Sequence, residues 1–216
     1  MQTVAVLFAR KDSVYKSISG CDVFDKERDA LTFARNMPVV AHPPCRAWGR
    51  LRTFAQPSPG EMDAARWACL AVQLCGGVLE HPAHSLLWSD QNLPRPGQTD
   101  KYGGWTLPVL QKWWGHRAEK PTWLYICGIS PSEIPLVPLT LGDASHVIQS
   151  SKRDHRPHVT KAEREATPLA LAEWLVQLAS HAQPQQVILP PCPRSTPSRP
   201  ASSQQPATTF TPPKHR

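Results

Sequence analysis

The chain has 216 residues, about one domain by the usual length prior, with 24 Lys and Arg against 17 Asp and Glu and a net charge of +7. It contains no run of about 18 apolar residues, which excludes a transmembrane helix. The opening segment MQTVAVLFARKDS carries its charges after its short apolar run, unlike a secretory signal. A cytoplasmic location is therefore expected. The six cysteines form no CxxC and no zinc-finger spacing, so they are expected as reduced thiols without a metal.

In chain order, Thr3–Ala9 reads as a strand. Asp22–Phe24 is a second, weaker strand, and Val39–Ala41 a third, stopped by Pro43-Pro44. From Gly60 to Leu74 the apolar residues Met62, Ala65, Trp67, Ala68, Leu70, Ala71 and Leu74 fall at helical spacing, and Gly76-Gly77 ends that helix. Gly77–Leu79 reads as a strand, Leu93 to Trp105 as a turn-rich surface loop, and Leu107–Trp114 as a short helix. Trp123–Gly128 is a further strand. Lys161–Glu165 fits a short helix of solvated charges, and Thr167–Ala179 an amphipathic helix with Pro168 in its first turn.

Strands alternating with helices predict an α/β fold with a mostly parallel sheet and flanking helices, as one domain over 1–182. The remainder, 183–216, holds 9 of the 24 prolines, is rich in Ser, Thr and Gln, and has Arg194, Arg199, Lys214 and Arg216 as its charges. It buries too little apolar surface to offset its ordering entropy, so a disordered tail is predicted. Without the tail, the body keeps a net charge of +3. A basic tail of this kind either adds salt-dependent attraction to nucleic acid or only solubilises the chain.

In parallel sheets, ligands bind beyond the carboxyl ends of the strands. The third strand leads into His42-Pro43-Pro44-Cys45-Arg46-Ala47-Trp48, where two prolines stiffen a turn and hold a cysteine at a strand end. Such a thiol is either a nucleophile or a small packed hydrophobe. The fourth strand leads into Glu80-His81-Pro82, a carboxylate that needs a partner if it is buried. Cationic residues in Gly115–Thr122 precede the strand that ends at Gly128.

These segments together resemble the C5-cytosine DNA methyltransferases. AHPPC, with Cys45, matches that family's strand ending in Pro-Cys, and VLEHP, with Glu80, matches its strand ending in Glu-Asn, with His81 in place of the Asn. The stretch GHRAEKPTWLYICG over 115–128 matches its Gly-containing segment before a strand ending in Gly, and VLFA its first strand. The chain is also similar to small phage-encoded relatives without a target-recognition domain, which implies a phage or prophage gene in a bacterial host.

The resemblance implies a Rossmann-like, S-adenosylmethionine-dependent enzyme acting on DNA. Cys45 would attack C6 of cytosine and Glu80 would bind N3. It further implies substrate contacts from Pro44, Arg46, Trp48, His81, Lys120 and Thr122. Cofactor contacts would come from Phe8, Ala9, Asp25 and Pro43. The family's Gly-rich turn is missing, since Phe8-Ala9-Arg10-Lys11-Asp12-Ser13 contains no glycine. Asp22, Asp25 and Glu27 either hold a ribose or form a solvated turn. The family's two arginines appear as Lys120 and Thr122. A non-catalytic DNA- or protein-binding factor on the same scaffold is the alternative, and the missing glycines favour it.

Of the eight tryptophans, Trp67 and Trp174 fall on helical apolar faces. Trp48, beside Arg46, Arg50 and Arg52, fits either base stacking or the core. Lys152, Arg153, His155, Arg156, His158 and Lys161 form the densest basic run, either a nucleic-acid patch or a plain loop.

Overall fold

The computed structural model describes residues 2–49, 52–149 and 154–184. All of them belong to a compact unit spanning Met1–Gln186. The tail expected over 183–216 falls outside the described residues from 185 onward, as do Arg50, Lys152, Arg153 and Cys192. Among the described residues no helix is long and apolar enough to cross a membrane.

Six strands form one sheet in the order β2-β1-β3-β4-β6-β5. They are β1 (Val4–Leu7), β2 (Cys21–Phe24), β3 (Val39–Ala41), β4 (Gly77–Pro82), β5 (Trp105–Leu110) and β6 (Pro121–Cys127). β1 pairs in parallel with β2 and β3, and β3 with β4. β6 runs antiparallel to both β4 and β5. The sheet is therefore mixed, with the parallel pairings confined to its first four strands.

Both faces are covered, which is why β1 is buried at every position. Ala5 and Leu7 of β1, Val39 and Ala41 of β3, and Leu79 of β4 pack with α1 (Glu61–Cys75) on one face. Val4, Val6, Val40, Val78, Leu124 and Ile126 pack on the other face against the last helix of the described chain, Leu169–Ala179. The period-two alternation of the strands thus assigns each residue to one helical layer.

Glu61 and Asp63 stand in the first turn of α1, where the helix dipole favours negative charge. Gly76 ends the helix at φ 74°, and Gly77, at φ 119°, lets β4 lie against β3: a Cβ there would collide with the backbone of Val39. The other helices are α2 (Leu87–Asp90), α3 (Lys161–Glu165) and α4 (Leu169–Ala179), the last entered through Pro168.

Three expectations are corrected. Leu107–Trp114 is not a helix: β5 extends to Leu110, and one 3-10 turn follows over Gln111–Trp114. Pro108 is tolerated because β5 is the edge strand, where one side of the ladder needs no N–H. Trp105 is not in a loop but opens β5, its indole N–H donating to the Ile129 carbonyl at 2.9 Å. β4 does not stop at Leu79 but continues through Glu80, His81 and Pro82, which pair with β6.

Candidate active site

β1, β3 and β4 are parallel and β6 is antiparallel to β4, so the carboxyl ends of the first three share an edge with the amino end of β6. Thr122 pairs with Pro82 at that edge, and Pro121 with Leu110 at the end of β5. His42 after β3, Glu80 in β4, Gln111 after β5, and Lys120 and Thr122 at β6 therefore meet although they lie far apart in sequence.

Glu80 is the hub. His42 Nδ1 lies 3.1 Å from its Oε2, and Gln111 Nε2 lies 2.9 Å from its Oε1. Gln111 Nε2 also reaches Thr122 Oγ1 at 3.1 Å, while that hydroxyl donates to the Lys120 carbonyl. On the far side of His42, the Tyr15 hydroxyl lies 2.8 Å from Nε2. Burial alone would push the Glu80 carboxyl up, but the hydrogen bond and charge of His42, followed by the charge of Lys120, outweigh it and hold the group at about 2. Burial raises the Tyr15 phenol well above its usual range, so it stays protonated.

Cys45 is exposed, at the start of a tight turn in which its carbonyl accepts from Trp48 N and Gly49 N at 3.1 and 3.0 Å. Its thiol is raised by desolvation first and by the Glu80 charge second, and Lys120 opposes both. Desolvation lowers the Lys120 ammonium, against the pull of Glu80 and Cys45. The three groups thus share one electrostatic environment. Lys120 donates to the Ala166 carbonyl at 3.0 Å, and Arg10 pairs with Glu165 at 3.3 Å, so the end of α3 lies beside the cluster. Lys120 and Phe8 both adopt left-handed backbone, at φ 44° and 61°, a strained state for non-glycine residues.

The other expected substrate contacts are placed differently. His81 points to the opposite face from Glu80, as period two requires, and is buried against Trp88 at 6.3 Å between ring centroids. Trp48 is buried in the α1-side core rather than offered for stacking. Arg46 spends its guanidinium on Glu61 at the start of α1. Pro43 is buried and Pro44 half-buried, and together they hold the turn.

Around the expected cofactor position, Phe8 makes the left-handed turn without a glycine, and Ala9 is buried. Asp25, however, accepts from Lys16 Nζ at 2.6 Å and from the backbone N–H of Glu27 and Arg28 at 2.9 and 3.1 Å. Those bonds hold its carboxyl at about 2. With one oxygen engaged by its own loop and the other by Lys16 of the preceding 3-10 turn, Asp25 does not fit a ribose clamp. A cleft of about 480 Å³ lined by Gly97, Gln98, Trp105, Gly128 and Ser130 lies at the other edge of the sheet, past the end of β6, away from these groups.

His42, Tyr15 and Gln111 were not selected by sequence reasoning. His42 is the first residue of the HPPC segment, which was the available local signal. Tyr15 and Gln111 carry none, since their partners lie 27 and 31 residues away. No protein-family model, curated protein or solved structure matches the chain.

Proposed function

We propose that the chain is a DNA cytosine-C5 methyltransferase-like enzyme of Rossmann-like architecture, with Cys45 as nucleophile and Glu80 as the contact to the pyrimidine N3 edge. The observation that carries this reading is geometric: Glu80, bonded by His42 at 3.1 Å and Gln111 at 2.9 Å, stands at the strand edge beyond which the Pro-Pro turn after β3 carries the exposed Cys45. The strand order supports the architecture: the chain reverses direction across the sheet at β1, so β1 and β3 flank a topological switch point, where such sheets bind ligands.

The chemistry that these residues support is conjugate addition. The Cys45 sulfur bonds to C6, the C5=C6 pair moves to C4–C5, and the C4=N3 pair moves onto N3. N3 takes up the proton that the thiol gives up, so charge balances. Lys120 offsets the negative charge displaced toward N3, the ionised Glu80 accepts from the N3–H once the proton has arrived, and C5 becomes nucleophilic. In a duplex the base would first have to leave the stack. S-adenosylmethionine would supply the methyl electrophile in this reading. Phe8 packs its ring on Trp67, Ala9 is buried and Asp25 does not fit, so no step is derived through that group.

The engagement of Asp25 favours the second reading, a non-catalytic DNA- or protein-binding factor on the same scaffold. One experiment separates the two without the cofactor. A nucleophilic C5 takes a deuteron from D₂O, and reversal of the addition leaves deuterated cytosine, read by mass spectrometry of an oligonucleotide. Wild-type protein is expected to catalyse this exchange and Cys45→Ala to abolish it. Exchange that persists in Cys45→Ala, or none in the wild type, removes the enzymatic assignment.

A further inference from the structure

The hydrogen bonds around Glu80 fix which of its atoms remain free. Glu80 is ionised and so accepts only, which makes His42 Nδ1 the donor in their 3.1 Å contact. With the imidazole neutral, His42 Nε2 accepts the Tyr15 O–H at 2.8 Å, and the buried Tyr15 ring, tilted against the imidazole at 5.3 Å, holds it in place. The Thr122 hydroxyl donates to the Lys120 carbonyl, so it accepts from Gln111, which orients the Gln111 amide to donate to Glu80 as well. Each Glu80 oxygen is thus engaged once from within the protein and keeps acceptor capacity.

We propose that Tyr15 and His42 are positioning residues that fix Glu80 as a two-oxygen acceptor and thereby select 4-aminopyrimidines over 4-oxopyrimidines. This rests on the thiol-addition reading above. After addition, a cytosine presents N3–H and a 4-amino N–H side by side, two donors matched to the two carboxylate oxygens. A uracil presents an oxygen at C4, which the carboxylate repels. The site is complementary to the adduct rather than to free cytosine, whose N3 carries no hydrogen. Tyr15 contributes by holding the imidazole in the tautomer that donates from Nδ1.

The test uses C5 exchange in D₂O with the full chain, on matched oligonucleotides carrying cytosine or uracil. Tyr15→Phe keeps the ring and His42→Asn keeps a donor near Nδ1, so both are compatible with folding, and His42→Ala removes the donor. His42→Ala is expected to lower kcat for cytosine about 10- to 100-fold, in line with loss of a charge-assisted hydrogen bond, and to narrow the cytosine-to-uracil ratio about tenfold. Tyr15→Phe is expected to narrow the same ratio, and His42→Asn to restore part of what His42→Ala loses. Nitrogen-15 spectra of the unliganded protein are expected to show His42 protonated at Nδ1. The proposal is overturned if exchange depends on Cys45 while both His42→Ala and Tyr15→Phe leave rate and base ratio within about twofold, or if His42 carries its proton on Nε2 alone. Absence of exchange in the wild type overturns the thiol-addition reading together with this one.

Discussion

Glu80 and His81 are neighbours in β4, yet they face opposite layers and are held below their ordinary pKa values by different causes, hydrogen bonding and cationic neighbours for Glu80 and desolvation for His81. His81 is fully buried with both ring nitrogens unpartnered, and desolvation holds it at about 4, below the ordinary 6.5. The unfolded chain takes up that proton first as pH falls. The pH-dependent cost of His81 is therefore absent above about 6.5 and reaches about 3 kcal/mol by pH 4, with a level response below. Glu80 is held at about 2 against an ordinary 4.5, so its contribution is present above 4.5 and is lost as pH falls toward 2. The two windows overlap only between about pH 4 and 4.5. Urea unfolding at pH 7, 5 and 3 is expected to show the His81 loss between the first two points, and His81→Leu to flatten it while leaving the acid limb. An unchanged pH 7 to 5 loss in His81→Leu would show that another group carries it.

At the scale of elements, the tightest constraint is the junction of α1 and β4. Gly76 closes the helix in left-handed backbone, and Gly77 passes so near the Val39 backbone that no side chain fits. Gly77→Ala adds both a collision and a strained φ, and is expected to destabilise by about 3 kcal/mol or more, read as a lowered urea midpoint at unchanged slope. Gly60→Ala, where nothing lies within 4 Å, separates the conformational part of that loss from the collision. Most elements were legible in the sequence: α1, α4 and the first three strands follow from periodicity and from the Gly and Pro punctuation. β5 was not, because Leu107, Val109 and Leu110 carry no periodicity that separates a short strand from a short helix. Its pairing with β6 decides the matter.

Over the whole molecule, charge is unevenly distributed. The body carries +3, and residues 183–216 add the four basic groups Arg194, Arg199, Lys214 and Arg216. Within the described body, Arg46, Arg66, Arg117 and Arg156 are each paired with a carboxylate, which leaves less of the basic surface for phosphates. If the tail contacts duplex DNA, deleting 183–216 is expected to flatten the log–log salt dependence of binding by up to about 3.6, about 0.9 for each cation. An unchanged slope would restrict the DNA contacts to the body.

By itself the sequence determined α1, α4, the first three strands, the stiff Pro-Pro turn after β3 that presents Cys45, and the presence of Glu80 on the β4 segment, though not that β4 continues past it. Those are local properties, set by periodicity, backbone restriction and glycine freedom over a few residues. The tertiary structure alone decided which side chains surround Glu80. It gathered Tyr15, His42, Gln111 and Thr122 from four separate stretches, turned His81 and Trp48 into the core, and committed Arg46 and Asp25 to their own neighbourhoods. For Gln111 and Thr122 the reason is the reversal of β6 between β4 and β5, and for His42 the parallel pairing of β3 with β4. An antiparallel strand brings its first residues to the edge where its neighbours end, and no local pattern records that pairing.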